Sequence, residues 1–464
     1  MAHTRRPAVL AGWWLIATWL SFISFGCTAH PLGTPSEAGL VDERLRGFLR
    51  YQRAIDVLTV RSAEVPPPRR RYETLRTALS PGGLPRFAPS MPGPQGFGRL
   101  RRTLVAQAPD PALLAGYLQH QYRRLARSGG EWESRRAFAW QWAFWGRAAV
   151  LGYRRTRDPW FLELVARGFE RLDGLRGTHR GIADDGRGGV LASWPSRARA
   201  GGYRYEQAVA GLMTLPACQF ARTVQAEPAL HQSHLAKAQR YLDVTREVLG
   251  VFSGDYQENR WGYGRFLRPD RGRVEPLSHA HAYASALECL NQSGPTPLRP
   301  EILNGLQRAF VAALWRTSAG TFAWGHAPAP PEGRSRPAEW VWKAVMTMTW
   351  PYEAYRLGGR FDIAFMRELA RVFRSGVYLG NGVLNARISP DDRVDLGPAV
   401  VGGHHAARLQ ALSAWIVLGE FDPEVRRLIE EAVAIREDIF PAGWLGSAPG
   451  AYAYAFRLSE VEAR

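Results

Sequence analysis

Four of the eleven histidines in this 464-residue chain stand in two short segments. These are Leu277-Ser278-His279-Ala280-His281-Ala282-Tyr283 and Gly402-Gly403-His404-His405-Ala406-Ala407-Arg408. Imidazole beside phenol and guanidinium suits removal of the C5 proton of a uronate: His or Tyr is the base, while a cation neutralises the carboxylate and steadies the enolate-like state. On a helix His279 and Tyr283 share a face, as do His404 and Arg408, whereas His279 and His281 diverge. A third segment, Tyr203-Arg204-Tyr205-Glu206-Gln207, adds phenols and a carboxylate. The catalytic candidates are therefore His279, Tyr283, Tyr205, Glu206 and His404. Their structural alternatives are helix capping or core hydrogen bonding for His279 and His404, and a first-turn acid complementing the helix dipole for Glu206.

Hydrolysis of a glycoside needs two carboxylates instead, ~5–5.5 Å apart for retention or ~6.5–9.5 Å for inversion. Glu206, Glu339, Asp184, Asp185, Asp391 and Asp392 supply the residue type. Glu339 has Lys343 four residues on and reads as a helical salt bridge, and the aspartates lie beside Gly or Pro as turn formers do. Sugar binding in water also uses aromatic platforms and polar side chains for hydroxyls. Tyr203, Trp261, Trp324 and Trp342, with His281, His405 and Arg408, are the substrate-binding candidates; Tyr205, Trp194 and Trp340 have the same aromatic character. Packing between neighbouring helices is the structural alternative for each aromatic.

The elements that must position these residues recur. Five times between Arg135 and Ile435 a helix rich in aromatic and small residues is followed by a turn, an amphipathic helix and a long Gly/Pro-rich loop, with a period of roughly 60–70 residues. The first helices open at Trp132, Gly202, Leu277, Ala338 and Gly402 and continue as apolar runs such as Leu409 to Leu418, which predicts an inner, buried helix. Their partners, such as Pro159 to Leu172 and Pro423 to Ile435, carry a polar face and belong outside. The loops leaving the outer helices hold Asp184-Asp185-Gly186, Asn259 to Gly264, Thr321 to His326 and Tyr378 to Gly382, a composition that predicts short β-hairpins. Loops and inner-helix openings then converge on one face. Another helix is predicted from Pro111 to Arg127, and one from Glu37 to Arg61 would complete a sixth hairpin. Between them lies a Pro-rich strap, 61–106, and the tail from Trp444 to Phe456 is expected to pack across the closure.

The expected architecture is all-α, a toroid of five or six helical hairpins, (α/α)5-6, with long loops and short β-hairpins on one face. It resembles the six-hairpin, or (α/α)6-toroid, superfamily, which includes glycoside hydrolases, helical domains of polysaccharide lyases and the glucuronyl C5-epimerase group. Ser278-His279-Ala280 is similar to an inner-helix tripeptide found among such proteins. The resemblance implies a carbohydrate site at the loop face.

Composition fits one large core, with 46% hydrophobic residues and 17 Trp. Net charge is +18, yet of 60 basic residues only Lys237 and Lys343 are lysine. Near-exclusive use of Arg, scattered among acids, points to a compositional bias rather than a nucleic-acid surface, and an acidic glycan suits the charge better. Arg5-Arg6 and an apolar stretch from Ala8 to Gly26 form an export signal. Ser24-Phe25-Gly26-Cys27 resembles a bacterial lipobox, with Ser24 where an aliphatic residue is usual, so a lipidated Cys27, a cleaved signal or an uncleaved anchor are the alternatives. The boundaries are a signal at 1–27, a tether at 28–36 and one toroid domain at 37–464, placed in the periplasm or at the cell surface on a membrane anchor. Cys218 and Cys289 lie on successive inner helices whose axes are ~8–10 Å apart, while a disulfide needs Cα atoms within about 7 Å, so both read as buried thiols. HExxH and CxxC spacings, phosphate loops and a serine nucleophile elbow are missing from the sequence, so no cofactor is expected and a metal would have to be assembled across hairpins. The function expected is lyase- or epimerase-type proton abstraction on a uronate-containing poly- or oligosaccharide. The alternatives are a glycoside hydrolase with a carboxylate pair and a non-catalytic glycan-binding envelope protein.

Overall fold

The computed structural model describes residues 109–127, 136–197, 202–269, 272–294, 296–328, 337–396, 408–436, 439–440 and 443–460. The signal, tether, Pro-rich strap and Cys27 lie outside them, as do His404, His405 and the helix expected from Glu37. Among the described residues no helix is long and apolar enough to cross a membrane.

Six helices form a closed ring. They are α2 (Arg136–Thr156), α4 (Gln207–Ala226), α6 (Leu277–Asn291), α8 (Val341–Arg356), α10 (Gln410–Glu420, of 3-10 geometry) and α12 (Ala448–Glu460). Each packs on the next, and α12 packs on α2. They sit inside because their sequences are apolar on every side: α6 is buried from Leu277 to Leu290 and α8 is buried at nearly every position from Val341 to Ala354. The outer layer consists of α3 (Trp160–Asp173), α5 (His231–Gly250), α7 (Pro300–Ala313), α9 (Ile363–Val372) and α11 (Pro423–Ile435), each backing the inner helix before it. Asp362 and Asp422 cap α9 and α11 by accepting backbone N–H bonds from Phe365 and Glu424. The all-α hairpin toroid expected from the sequence is therefore the fold. Its sixth unit is different from expectation: the tail does not lie across the closure but supplies the closing inner helix, backed by α1 (Pro111–Arg127).

Four two-stranded antiparallel sheets occupy the loops that lead from outer to inner helices. They pair β1 (Pro195–Arg197) with β2 (Tyr203–Tyr205), β3 (Tyr256–Glu258) with β4 (Gly264–Phe266), β5 (Trp315–Arg316) with β6 (Phe322–Ala323), and β7 (Leu384–Asn385) with β8 (Asp395–Leu396). The isolated bridge Gly325–Ala338 closes the loop before α8 on itself, and Trp340–Arg387 stitches that loop to the next. The face that carries the inner-helix openings is thus ordered by backbone pairing.

Across the ring, Arg147 of α2 reaches Glu353 of α8, the helix opposite, at 2.6 Å, with the two side chains only 4% and 9% exposed. Gln219 of α4 donates to the second carboxylate oxygen at 2.9 Å, and Arg147 also donates to the Tyr452 hydroxyl of α12 at 2.7 Å. Four of six inner helices meet at this cluster. Close approach of neighbours is set by small residues: Gly146 of α2 rests on Pro216 of α4, and Gly211 of α4 on the backbone of Ala282 and Tyr283. Cys218 and Cys289 are free, buried thiols, and burial pushes Cys289 up with Cys218 beside it.

A methyl group on Gly211 would stand 2.2 Å from the Ala282 carbonyl oxygen, which is backbone and cannot swing aside. Gly211→Ala is expected to destabilise the protein by about 1–3 kcal/mol, read as a lowered denaturant midpoint. Gly250→Ala, at the end of outer helix α5 with nothing within 4 Å, is the control and should leave the midpoint unchanged or slightly raised.

Candidate functional site

The opening of α4 is organised by Asp184. Its carboxylate accepts backbone N–H bonds from Gly186, Arg187 and Tyr205, each at 2.7 Å, which folds the loop onto β2. Arg187 in turn pairs with Asp255 from the next loop. Asp184 therefore acts as a turn former. Tyr205 is held by it: the phenol donates to the Ile182 carbonyl at 2.5 Å and is buried, and burial pushes its pKa up. A phenol so placed is a poor base at neutral pH. Tyr203, two residues back, is half-buried on the same strand. Glu206 stands at the N-cap position of α4 in extended conformation (φ −123°, ψ 131°) without a side-chain capping bond, and it lines a pocket with Gln207, Arg204, Arg268 and Glu275.

That pocket joins the α4 opening to the α6 opening. Its free volume, about 30 Å³, takes one or two waters or a small substituent but not a sugar ring. At its α6 side Arg268 grips both oxygens of Glu275, at 2.8 and 3.1 Å, and Oε2, which takes the longer of these bonds, also meets His279 Nδ1 at 2.7 Å. Burial alone would raise the Glu275 carboxyl, but His279 and Arg268 override it and hold it at about 2. At neutral pH the carboxylate is ionised and can only accept, so Nδ1 of His279 carries a proton and Nε2 carries the reactive lone pair or a second proton.

One hairpin further round, the α8 opening holds a second carboxylate–imidazole pair. Glu339 is 0% exposed and accepts from Trp324 Nε1 and Thr347 Oγ1, both at 2.7 Å. Its other oxygen lies 3.1 Å from His326 Nδ1, and His326 Nε2 lies 3.0 Å from Lys343 Nζ. The helical Glu339–Lys343 salt bridge expected from the spacing is replaced by this arrangement because α8 begins only at Val341, which leaves Glu339 outside the helical turn. The loop bearing His326 is pinned beside the first pair, since Leu277 N donates to the His326 carbonyl at 3.0 Å.

Next to this pair four flat groups are layered. Arg387 lies 4.1 Å from the Trp340 ring centre, Trp340 stacks on Trp342 at 4.8 Å and 19°, and Arg408 lies 5.4 Å from Trp342. Trp342 and Arg408 thus come together as candidates, though guanidinium and indole cover Trp342 where a sugar platform was expected. The exposed face of Trp261, 46% exposed, lies on the β3–β4 turn with Arg260 at 4.2 Å and Tyr263 stacked at 6.5 Å. Because β4 packs on outer helix α7, Trp261 stands away from the inner-helix openings.

Three candidates are core residues instead. Tyr283 donates to the Leu249 carbonyl at 2.9 Å, and burial pushes its phenol up. Trp324 is buried and committed to Glu339. His281 packs edge-on against Phe310 at 4.5 Å and Trp350 at 4.8 Å, and its Nδ1 meets the Thr347 carbonyl at 2.6 Å. That carbonyl is the one whose helical partner four residues on is Pro351, which has no N–H, so the imidazole fills the gap that proline leaves. The shared helical face of His279 and Tyr283 did not show this because every face of an inner helix meets protein. His326, Glu275, Arg268, Lys343 and Arg387 were not singled out as a site. The signals available were Glu275 four residues before His279, and His326 closing the Trp-Gly-His loop.

No protein-family model matches the chain, and no curated protein matches it. Among solved structures it is similar to a polysaccharide lyase, 15% identical with a TM-score of 0.41 over 69% of this chain and 89% of that one. It is also similar to an unsaturated glucuronyl hydrolase, responsible for the degradation of glycosaminoglycan, from Bacillus sp. GL1, 14% identical with a TM-score of 0.40 over 70% and 86%.

Burial pushes His281 down from its ordinary 6.5 to about 4. As pH falls below 6.5 the unfolded chain takes up a proton that the folded one refuses, so stability present above 6.5 is lost progressively down to about 4. The loss is roughly 3 kcal/mol. His281→Phe keeps the aromatic packing but leaves the Thr347 carbonyl unpaired. Denaturant titrations from pH 7 to pH 4 should show it about 1–3 kcal/mol less stable at pH 7. Its stability should also decline less over that interval than that of the wild type.

Proposed function

We propose that the protein acts on an acidic, uronate-containing glycan at its loop face, by abstraction of the proton next to the sugar carboxylate. The observation that carries this reading is the Arg268–Glu275–His279 row on the edge of a charged pocket. Glu275 fixes the tautomer and aim of His279, which leaves Nε2 as the base. Arg187, Arg204 and Arg268 line the pocket beside Asp184, Glu206 and Glu275, so the guanidiniums offer donors to a sugar carboxylate within a lining of balanced charge, and the volume admits a carboxylate while the pyranose lies across the mouth. A carboxylate-pair hydrolysis at the same place is less well supported, since of the two acids that share the pocket with Glu206, Asp184 is committed to three backbone N–H groups and Glu275 to Arg268 and His279.

Incubating the chain with a panel of polyuronates and neutral glycans tests this. Expected are unsaturated uronate absorbance with new reducing ends, or, for an epimerase, solvent-isotope exchange at C5. His279→Asn should lower the rate about 10²–10⁴-fold. Reducing ends without unsaturation would select the hydrolase reading, and binding with neither product nor exchange the glycan-binding one. We further propose that the protein is exported and held on a membrane through Cys27. In a bacterial host, incorporation of labelled fatty acid and its loss in Cys27→Ala would support that, and a Cys27→Ala protein that stays membrane-bound would count against it.

A further inference from the structure

We propose that Lys343, held by His326, whose ring Glu339 orients, is the acid of this same site, delivering a proton to the oxygen that leaves C4 as His279 removes the proton from C5. The inference rests on the uronate reading above and adds the second proton transfer that β-elimination requires.

Hydrogen-bond chemistry narrows the protonation states. Two nitrogens 3.0 Å apart need a proton on one and a lone pair on the other. A lysine ammonium has three donors and no acceptor, so His326 Nε2 is the acceptor and Nδ1 carries the ring proton, which it gives to Glu339. Glu339, buried and fed by Trp324 and Thr347 on its other oxygen, cannot turn away. The row therefore holds an ammonium group in place by a neutral imidazole. Its place in the fold suits proton delivery, because the His326 carbonyl is bonded to Leu277 N, two residues before His279. Base and acid then stand on adjacent hairpins of one face.

Composition adds an independent argument. This chain uses arginine almost everywhere, and Lys237 and Lys343 are the exceptions among its 60 basic residues. Lys237 lies on the outside of the ring, near Glu163 and Glu170 at 3.5 and 3.7 Å. Lys343 stands at an inner-helix opening beside two arginine-capped tryptophans. A guanidinium there would supply charge equally well, but it does not give up a proton in a protein, whereas an amine does. Lysine at this position points to a group that must titrate.

The step balances without any co-reactant. The C5–H bond breaks and its proton passes to His279 Nε2, while the electron pair forms the C4–C5 double bond. The C4–O bond breaks, its pair stays on oxygen, and that oxygen takes a proton from Lys343 Nζ. His279 ends as imidazolium and Lys343 as a neutral amine, and exchange with water restores both. Glu339 and His326 are positioning residues in this scheme, since neither touches the reacting atoms.

The test uses the full chain and two uronides that differ at C4, one bearing a sugar and one bearing fluoride, which leaves without a proton. Lys343→Met is expected to lose about 10²–10⁴-fold in kcat on the sugar-bearing substrate and less than about tenfold on the fluoride. His279→Asn should lose activity on both. Lys343→Arg, which keeps the charge, should also fail on the sugar-bearing substrate. Equal losses for Lys343→Met on both substrates, or retained activity on the sugar-bearing one, would overturn the acid role while leaving the uronate reading intact. Failure of the wild type to eliminate from any polyuronate would overturn both. Nitrogen NMR of the ligand-free protein supplies a readout independent of substrate: His326 should be the Nδ1–H tautomer at neutral pH, with an Nε2 signal that moves in Lys343→Met. An Nε2–H tautomer or an imidazolium there would also refute the proposal, and an unchanged unfolding midpoint in the variants excludes simple loss of the fold.

Discussion

The ion pair between Arg147 and Glu353 ties helices that face each other across the ring, and much else in the molecule depends on it. Burying two charges costs several kcal/mol per ion before their attraction and hydrogen bonds offset it. Here the offset is spread over four inner helices, through Gln219 and Tyr452 as well as the pair itself. None of these helices can shift outward without stranding a charge. The ring is accordingly a packed core at that depth, and the proposed site lies instead at the end where the inner helices begin.

At that end the helices have run out, and backbone polar groups must find other partners. The short β-hairpins and the bridges Gly325–Ala338 and Trp340–Arg387 meet this need, and carboxylates do the rest. Asp184 gathers three N–H groups, while Glu275 and Glu339 each fix an imidazole. The residues that order the loops are therefore neighbours of those proposed to act. Loop rigidity and the proposed reactivity draw on one set of side chains.

Much of the fold was legible in the sequence because it is local: the hairpin period, the all-round apolar inner helices and the Gly-flanked loop strands are each written within tens of residues. The closing helix was not, since Tyr452 and Tyr454 meet Arg147 and Asp110 across more than three hundred positions and no local pattern encodes that pairing. The site was legible as a place more than as a set of atoms. Two positions along α6 decide whether an imidazole meets the Glu275 carboxylate, as His279 does, or answers a proline in the neighbouring helix, as His281 does. Glu339 and Lys343 show the same limit, because two residues in the start of α8 convert a helical pair into a row with His326 between.

The pairing of α12 with α2 also sets an order of events. During synthesis α2 emerges among the first of the ring helices and its closing neighbour last, about three hundred residues later. Until then the flank of α2 that carries Phe144 and Arg147 faces no partner, and Arg147 lacks the Tyr452 hydroxyl even after Glu353 has arrived. Contacts of such long separation are slow to form and leave apolar surface open to misassembly in the meantime. Shutting the ring is thus a late step on which the burial of its central charges waits, so a nascent chain stalled before Ala448 would hold an open arc rather than a smaller ring.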